Sequence, residues 1–462
     1  MNDVTSGALA WLQENEEADI DRLAELVAIE SVASDPARLG AVRESVMWMK
    51  DELERVGFGD IRIHETDTNP ALTARYASPV EGAPTVLVYG HVDVQPVEPL
   101  DQWKSAPFSV DRRDDRLWGR GVTDDKGQVL MYTRAVEAVR AAGGEVPVNI
   151  IVLIDAEEEI GSPSLDAVLD ANPWLSEASV ALVSDSPALG LNLPAVGYSL
   201  RGMAYVEVTV RALSNDLHSG QFGGAVPNAA DLLARMIAGL HDAEGRVTVP
   251  GFYDRVVELT AEERERLAAL PFDEAGWLST IGALCGVGEE GFSALERTWG
   301  RPTLEVNGVF GGHTGPGPKT IVPAEATAKL SMRLVTDQDP DEVAQLLIAH
   351  LKEIAPPSVT IETWSDTASK PVLTPTDTPA MTAALEALEE TWRSTPYLIR
   401  DGGTIPAVAT LQSRFRLPTL LLGFGCPDEN KHAPNEWLPM DHFRRGPETL
   451  VRLLPKLAAA LG

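Results

Sequence analysis

The feature that most constrains this chain is a repeated arrangement: a short apolar run that stops on imidazole, carboxylate or hydroxyl side chains. Thr85-Val86-Leu87-Val88-Tyr89 leads into Gly90-His91-Val92-Asp93. Asn149 through Ile154 leads into Asp155-Ala156-Glu157-Glu158-Glu159-Ile160-Gly161, and Val180 through Val183 into Ser184-Asp185. Apolar runs of this length without alternation are expected of strands buried on both faces, the habit of parallel sheets. Helix-period stripes accompany them, such as Val129, Tyr132, Val136 and Val139, then Met381, Leu385, Leu388 and Trp392. Leu450, Leu453, Leu454 and Leu457 stripe a last helix, which Pro455 is expected to kink. The expectation is an α/β fold whose mixed, mostly parallel sheet is flanked by helices. Its chemistry should gather where the strands end. Ser162-Pro163 reads as a helix cap followed by proline at the first helical position.

Between the first two runs lies Gly119-Arg120-Gly121-Val122-Thr123-Asp124-Asp125-Lys126-Gly127, two adjacent carboxylates in a glycine-bounded turn. Like charges buried together are costly unless a cation sits beside them. A divalent metal answers that need. The candidate ligands are His91, Asp124, Glu159, Asp185 and His432. Such mixtures of His, Asp and Glu suit Zn²⁺ and also Mn²⁺. Three carboxylates and two imidazoles match two divalent ions per subunit with one carboxylate shared. Asp124, in the rigid central turn, is the expected bridge. Asp93 falls two residues after His91, on the same face if the strand geometry continues, and would orient the imidazole. Glu158 is then left as a general base on the attacking water. Taken singly, Glu157 to Glu159 could be a solvated acidic loop, and Asp124-Asp125 a helix cap. Their joint placement with the strand ends favours the metal.

After Arg201 the pattern changes. Ala204 to Arg211 alternates, Leu232, Leu233, Met236, Ile237 and Leu240 stripe a helix, and Thr303 to Val309 and Glu325 to Val335 read as strands. A helix stripe at Val343, Leu346, Leu347, Leu351 and Ile354 and a strand at Val359-Thr360-Ile361 complete a β-α-β-β-α-β order, a compact two-layer ferredoxin-like unit. Helices cover one face of such a sheet, so the other needs solvent or a partner. The expected division is 1–200 with 373–462 as one discontinuous domain and 201–372 as an inserted second. Residues 243–300, including a Glu-rich helical stretch, carry no assignment.

The net charge of −31 leaves no basic patch for nucleic acid or an anionic membrane. No apolar run is long enough for a bilayer. The amino terminus shows no basic and apolar leader pattern, so a cytoplasmic location is expected. Two cysteines, Cys285 and Cys426, argue against a disulfide framework.

Gly90-His91-Val92-Asp93-Val94-Gln95-Pro96, the Gly119 to Gly127 turn, Glu158-Glu159-Ile160-Gly161-Ser162, Ser184-Asp185 and His432-Ala433-Pro434-Asn435-Glu436 resemble the M20 family of metallopeptidases. Trp103 to Phe108, His218 to Gly224 and Arg400-Asp401-Gly402-Gly403-Thr404-Ile405-Pro406 are similar to its dipeptidase branch, which includes carnosine dipeptidases. The resemblance runs in order along nearly the whole chain. It implies a two-metal hydrolase of dipeptides, with zinc expected first and manganese second. It also implies an inserted lid domain through which a homodimer forms. His91, Asp124 and Asp185 would hold one ion, Glu159 and His432 would complete the other, and Asp124 would bridge. Glu158 would be the general base, and the Asp124–Asp125 peptide would be cis. His218 would reach across the dimer to the oxyanion, and Arg333 would clamp the substrate's terminal carboxylate. Arg400, Gly402, Gly403 and Thr404 would line the substrate wall, Thr404 standing where several relatives carry serine. The alternatives are a deacylase of N-acyl amino acids on the same metal core and a scaffold protein that kept the fold.

Overall fold

The computed structural model describes residues 2–462 and divides into two compact units. The first comprises Met1–Tyr198, Thr374–Ile399 and Pro406–Gly462, and the second Ser199–Leu373 and Arg400–Ile405. Among the described residues no helix is long and apolar enough to cross a membrane.

In the first unit a mixed sheet runs in the order Gly59–His64, Ala71–Tyr76, Asn149–Asp155, Thr85–His91, Val180–Val183, Thr419–Leu421, Ala195–Leu200. The four central strands, from Asn149–Asp155 to Thr419–Leu421, are parallel, and the outer ones pair antiparallel. The parallel strands are buried along almost their whole length, as helices on both faces require. The helix Lys126–Ala141 is buried nearly all round and carries the central turn at its amino end. Its Val129, Leu130, Met131, Tyr132, Val136 and Val139 enter one continuous core with Leu23, Met49, Val88, Ile150, Leu182 and Leu450. The last helix, Met440–Leu461, continues through both Pro447 and Pro455. A small sheet pairs Trp437–Pro439 with Arg116–Trp118 and that with Asp111–Arg113, bringing the segment after His432 beside the one that enters the central turn.

The helix expected to begin at Ser162-Pro163 begins at Leu165, after Ser164. The reason is local. Ser162 takes a positive φ of 51° and donates its hydroxyl to Asp155 Oδ2 at 2.6 Å. The Glu157 carboxylate accepts the N–H of Ser164 at 3.0 Å, satisfying a donor near the helix start that a serine cap would otherwise have met.

The second unit has four antiparallel strands in the order Thr303–Gly311, Glu325–Leu334, Gly202–Arg211, Thr360–Ser369. Helices Ala229–Ala238 and Pro340–Ile354 pack on one face, where Ala204, Val206, Val208, Val210, Leu330 and Met332 meet Leu233, Met236, Leu347 and Leu351. Both helices begin on a side-chain cap. Asn228 accepts from the N–H groups of Ala230 and Asp231, and Asp339 from those of Asp341 and Glu342, each cap being worth about 1 kcal/mol. Among the described residues, the stretch without an assignment holds two short α-helices, Ala261–Ala268 and Glu274–Thr280, and a π-helical turn, Glu296–Gly300.

Candidate metal centre

Asp124 stands between two imidazoles. Its Oδ1 lies 3.1 Å from Nε2 of His91 and its Oδ2 lies 3.1 Å from Nε2 of His432. His91 Nε2 also faces Asp185 Oδ2 at 3.7 Å, and His432 Nε2 faces Glu159 Oε2 at 3.2 Å. Two clusters result, His91 with Glu158 and Asp185, and Asp124 with Glu159 and His432. In each, the potential ligand atoms lie within 4.8 Å of one another. The five ligand candidates and Glu158 are therefore brought together in the first unit.

Topology explains the convergence. His91 ends its strand in parallel register with Asp155, so the turn Glu158–Ile160 follows at the same sheet edge. Asp185 lies two residues past Val180–Val183, the neighbour on the other side. Asp93 joins the parts. Its backbone carbonyl lies 3.1 Å from His91 Nδ1, and its carboxylate accepts the N–H groups of Glu158 and Glu159 at 3.2 and 3.0 Å. Gln95 donates to Glu159 Oε2 at 2.8 Å.

The central turn is held from the carboxyl-terminal segment. Glu436 is fully buried, and its Oε1 accepts the N–H groups of Gly121, Thr123 and Asp124 at 2.9, 3.1 and 3.2 Å. Its Oε2 accepts from Arg120 Nη1 at 2.6 Å. Glycine is required at two positions here. Gly121 has φ +87°, and a Cβ on Gly127 would lie 2.0 Å from the carbonyl oxygen of Val122. The Asp124–Asp125 peptide is cis. Lys126, wholly buried, donates to the carbonyls of Leu26 and Ile29, and burial pulls its pKa down to about 7.

The electrostatics fit divalent ions. Burial pushes Glu158 well above the ordinary carboxylate range, and Asp185, Glu159 and Asp124 add to the rise. Burial and the Asp124 charge raise Glu159 in the same sense. Asp124 and Glu159 lift the His432 imidazole to about 10. Burial opposes a charged His91, yet Asp124, Asp185 and Asp93 hold it well above its usual value. These carboxylates thus crowd one another and draw protons onto rings that would otherwise be neutral. Divalent cations between these donors would remove both conflicts.

The remaining candidates belong to the second unit. His218 is exposed, and its Nδ1 accepts the N–H of Gly220 at 3.0 Å. Arg333 Nη1 donates to Thr404 Oγ1 at 2.7 Å, and that hydroxyl donates to the carbonyl of Arg201 at 2.6 Å. The carbonyls of Gly402 and Gly403 accept from Arg201 Nε and N at 3.1 and 3.0 Å. Arg400 is buried and engages Glu263 at 2.7 Å. Arg201 and Glu436 had no assigned role in the sequence reading. Glu436 stands inside the His432–Glu436 motif, which is the signal that could have marked it, whereas Arg201 lies in none of the motifs and is marked only by its contacts with Gly402 and Gly403.

Residues 87–456 match peptidase family M20/M25/M40. The chain is 32% identical over 452 residues to the Cys-Gly metallodipeptidase DUG1 of Candida albicans, covering 93% of each protein. It is 29% identical over 469 residues to human Beta-Ala-His dipeptidase, covering 95% of this chain and 90% of that one. Among solved structures, the di-peptidase Dug1p of Saccharomyces cerevisiae superposes with a TM-score of 0.86 at 28% identity over 100% of both chains. Human carnosine dipeptidase 1 gives 0.85 at 27% identity over 99% of both. With this extent of match in sequence and in fold, the chain belongs to peptidase family M20/M25/M40.

Proposed function

We propose that this metallopeptidase hydrolyses the peptide bond of dipeptides, using two divalent ions per subunit, zinc first and manganese as the alternative. The observation that carries the two-ion reading is the Asp124 carboxylate, each oxygen 3.1 Å from a different imidazole nitrogen. His91 and Asp185 would hold one ion, Glu159 and His432 the other, with Asp124 shared. Bound there, the ions would polarise the scissile carbonyl and lower the pKa of the attacking water.

The chain's own groups do the rest. Glu158 takes the proton of the water as its oxygen bonds to the carbonyl carbon. It returns that proton to the amine nitrogen as the C–N bond breaks. Its backbone is held for this by Asp93, which accepts the N–H of Glu158. Arg333 presents its guanidinium to the substrate's terminal carboxylate, an arrangement suited to paired N–H donors. No ion pair among the described residues competes for Arg333, and Thr404 fixes its Nη1. His218 would stabilise the oxyanion from a partner copy.

The second unit would serve as a ferredoxin-like lid and dimerisation module. Its edge strand Thr303–Gly311 supports that role, since Val306, Val309 and Phe310 are exposed along it and an open edge is a template for pairing. A cytoplasmic homodimer is the state in which we place the enzyme.

The test is a panel of dipeptides run beside N-acetyl and N-succinyl amino acids on protein reconstituted with zinc or manganese. Hydrolysis of dipeptides is expected. Turnover confined to N-acyl amino acids would make the chain a deacylase, and no turnover with either metal would leave a scaffold.

A further inference from the structure

One charged group at the metal centre has no part in the reaction described above. Lys431 places Nζ 3.1 Å from Asp185 Oδ1 and 3.7 Å from Glu429 Oε1. Asp185 turns its other oxygen, Oδ2, toward His91. Glu429 is buried and accepts from the hydroxyl of Thr123, the residue before Asp124, at 2.7 Å. The ammonium is thus wedged between the carboxylate expected to bind one ion and the carboxylate that braces the central turn.

The next residue points elsewhere. His432 has φ +58°, and its Nε2 goes to Asp124 and Glu159. Two consecutive residues therefore act in opposite senses. His432 gives a ligand to the Asp124–Glu159 cluster, while Lys431 gives a competing cation to the His91–Glu158–Asp185 cluster.

We infer that Lys431 makes the two ion sites unequal: it occupies one oxygen of Asp185, leaves the other for metal, and weakens the His91–Asp185 site relative to the one completed by Glu159 and His432. The inference rests on the two-ion reading. A fixed unit charge a few ångströms from a dication is repulsive in a partly buried site, where screening is weak. The weaker ion would then enter and leave over a range of free metal in which the tighter one stays bound. Lys431 is a positioning residue in this scheme and touches no substrate.

The experiment uses full-length, Zn²⁺-loaded protein equilibrated against a graded series of buffered free Zn²⁺, with bound zinc per chain read by elemental analysis. The wild type should lose its ions in two separated steps. In Lys431→Met the first step should move to free zinc about tenfold lower, closing the gap, while Lys431→Arg keeps the wild-type curve. Lys431→Gln gives the same reading should the methionine variant fold poorly by circular dichroism. One ion on the wild type and two on Lys431→Met would also uphold the inference. Two ions on both with superimposable curves would overturn it and leave the two-ion reading standing. A Lys431→Arg curve that follows Lys431→Met would overturn it as well. One ion on every variant would overturn both.

Discussion

Arg120 and Glu436 meet at 2.6 Å inside the protein, with side chains only 2% and 0% exposed, although 316 residues separate them in sequence. This pair fixes the turn that carries Asp124, because the second oxygen of Glu436 collects three of that turn's backbone N–H groups. Replacing Glu436 with Gln leaves a buried guanidinium without its counter-charge. Breaking a buried pair from one side costs about 3 kcal/mol or more. Glu436→Gln should therefore lower the urea midpoint of unfolding and reduce zinc retained after dialysis. Unchanged values for both would show that the turn is held by other means.

Glu158 lies close enough to His91 and Asp185 to be counted with them as a potential ligand, yet the proposed mechanism leaves it unligated. Glu158→Gln separates these roles. As a proton carrier, its loss should cut kcat by about 10²- to 10⁴-fold while zinc per chain stays at the wild-type value. A variant that loses one ion would make Glu158 a ligand instead.

The contact between Arg333 and Thr404 predicts a defect in substrate binding. Arg333→Met should raise KM for dipeptides by about tenfold or more, with a smaller effect on kcat, as expected when a charge-assisted contact is lost. Dipeptide amides, which lack the carboxylate, should be nearly indifferent to the change. Thr404→Val should follow in the same direction more weakly, and Thr404→Ser should match the wild type. An equal loss on acids and amides would remove the carboxylate from the account.

Outside the ligand clusters, Asp19 is buried against Arg134, and burial raises its pKa to about 6 despite that partner. The charges of Glu137 and Glu52 push in the same direction. A carboxyl whose folded pKa exceeds its unfolded value favours the folded state while protonated. That contribution is full below about pH 3.8 and is lost as the pH rises through 6. Asp19→Asn removes the titration. Comparing denaturant unfolding at pH 5 and pH 7.5, the variant should gain on the wild type by about 1 kcal/mol at the higher pH. A stability difference that does not change with pH would refute the shift.

The central sheet was legible because strands buried on both faces leave uninterrupted apolar runs, as at Thr85–Tyr89 and Val180–Val183. Ala71–Tyr76 and Ala195–Leu200 were not, because Thr73, Arg75, Tyr198 and Ser199 break their pattern although most of these side chains are buried. The ligand candidates could be read from their places after strands or in glycine-bounded turns. What holds them could not. Glu436 contacts the central turn across more than 300 positions, and Lys431 finds Asp185 across 246. Neither pairing follows from any local spacing. The shifted start of the helix at Leu165 has a nearer origin, the Glu157 carboxylate seven positions before Ser164, whose N–H it takes.

The six residues Arg400–Ile405 belong to the second unit although the chain on either side of them belongs to the first. The polypeptide therefore passes between the units four times. Exchange of the inserted stretch 199–373 alone with a homologous enzyme would split one set of contacts, taking Arg333 and Arg201 from one parent and Gly402, Gly403 and Thr404 from the other. A chimera meant to keep these contacts within one parent must carry both stretches.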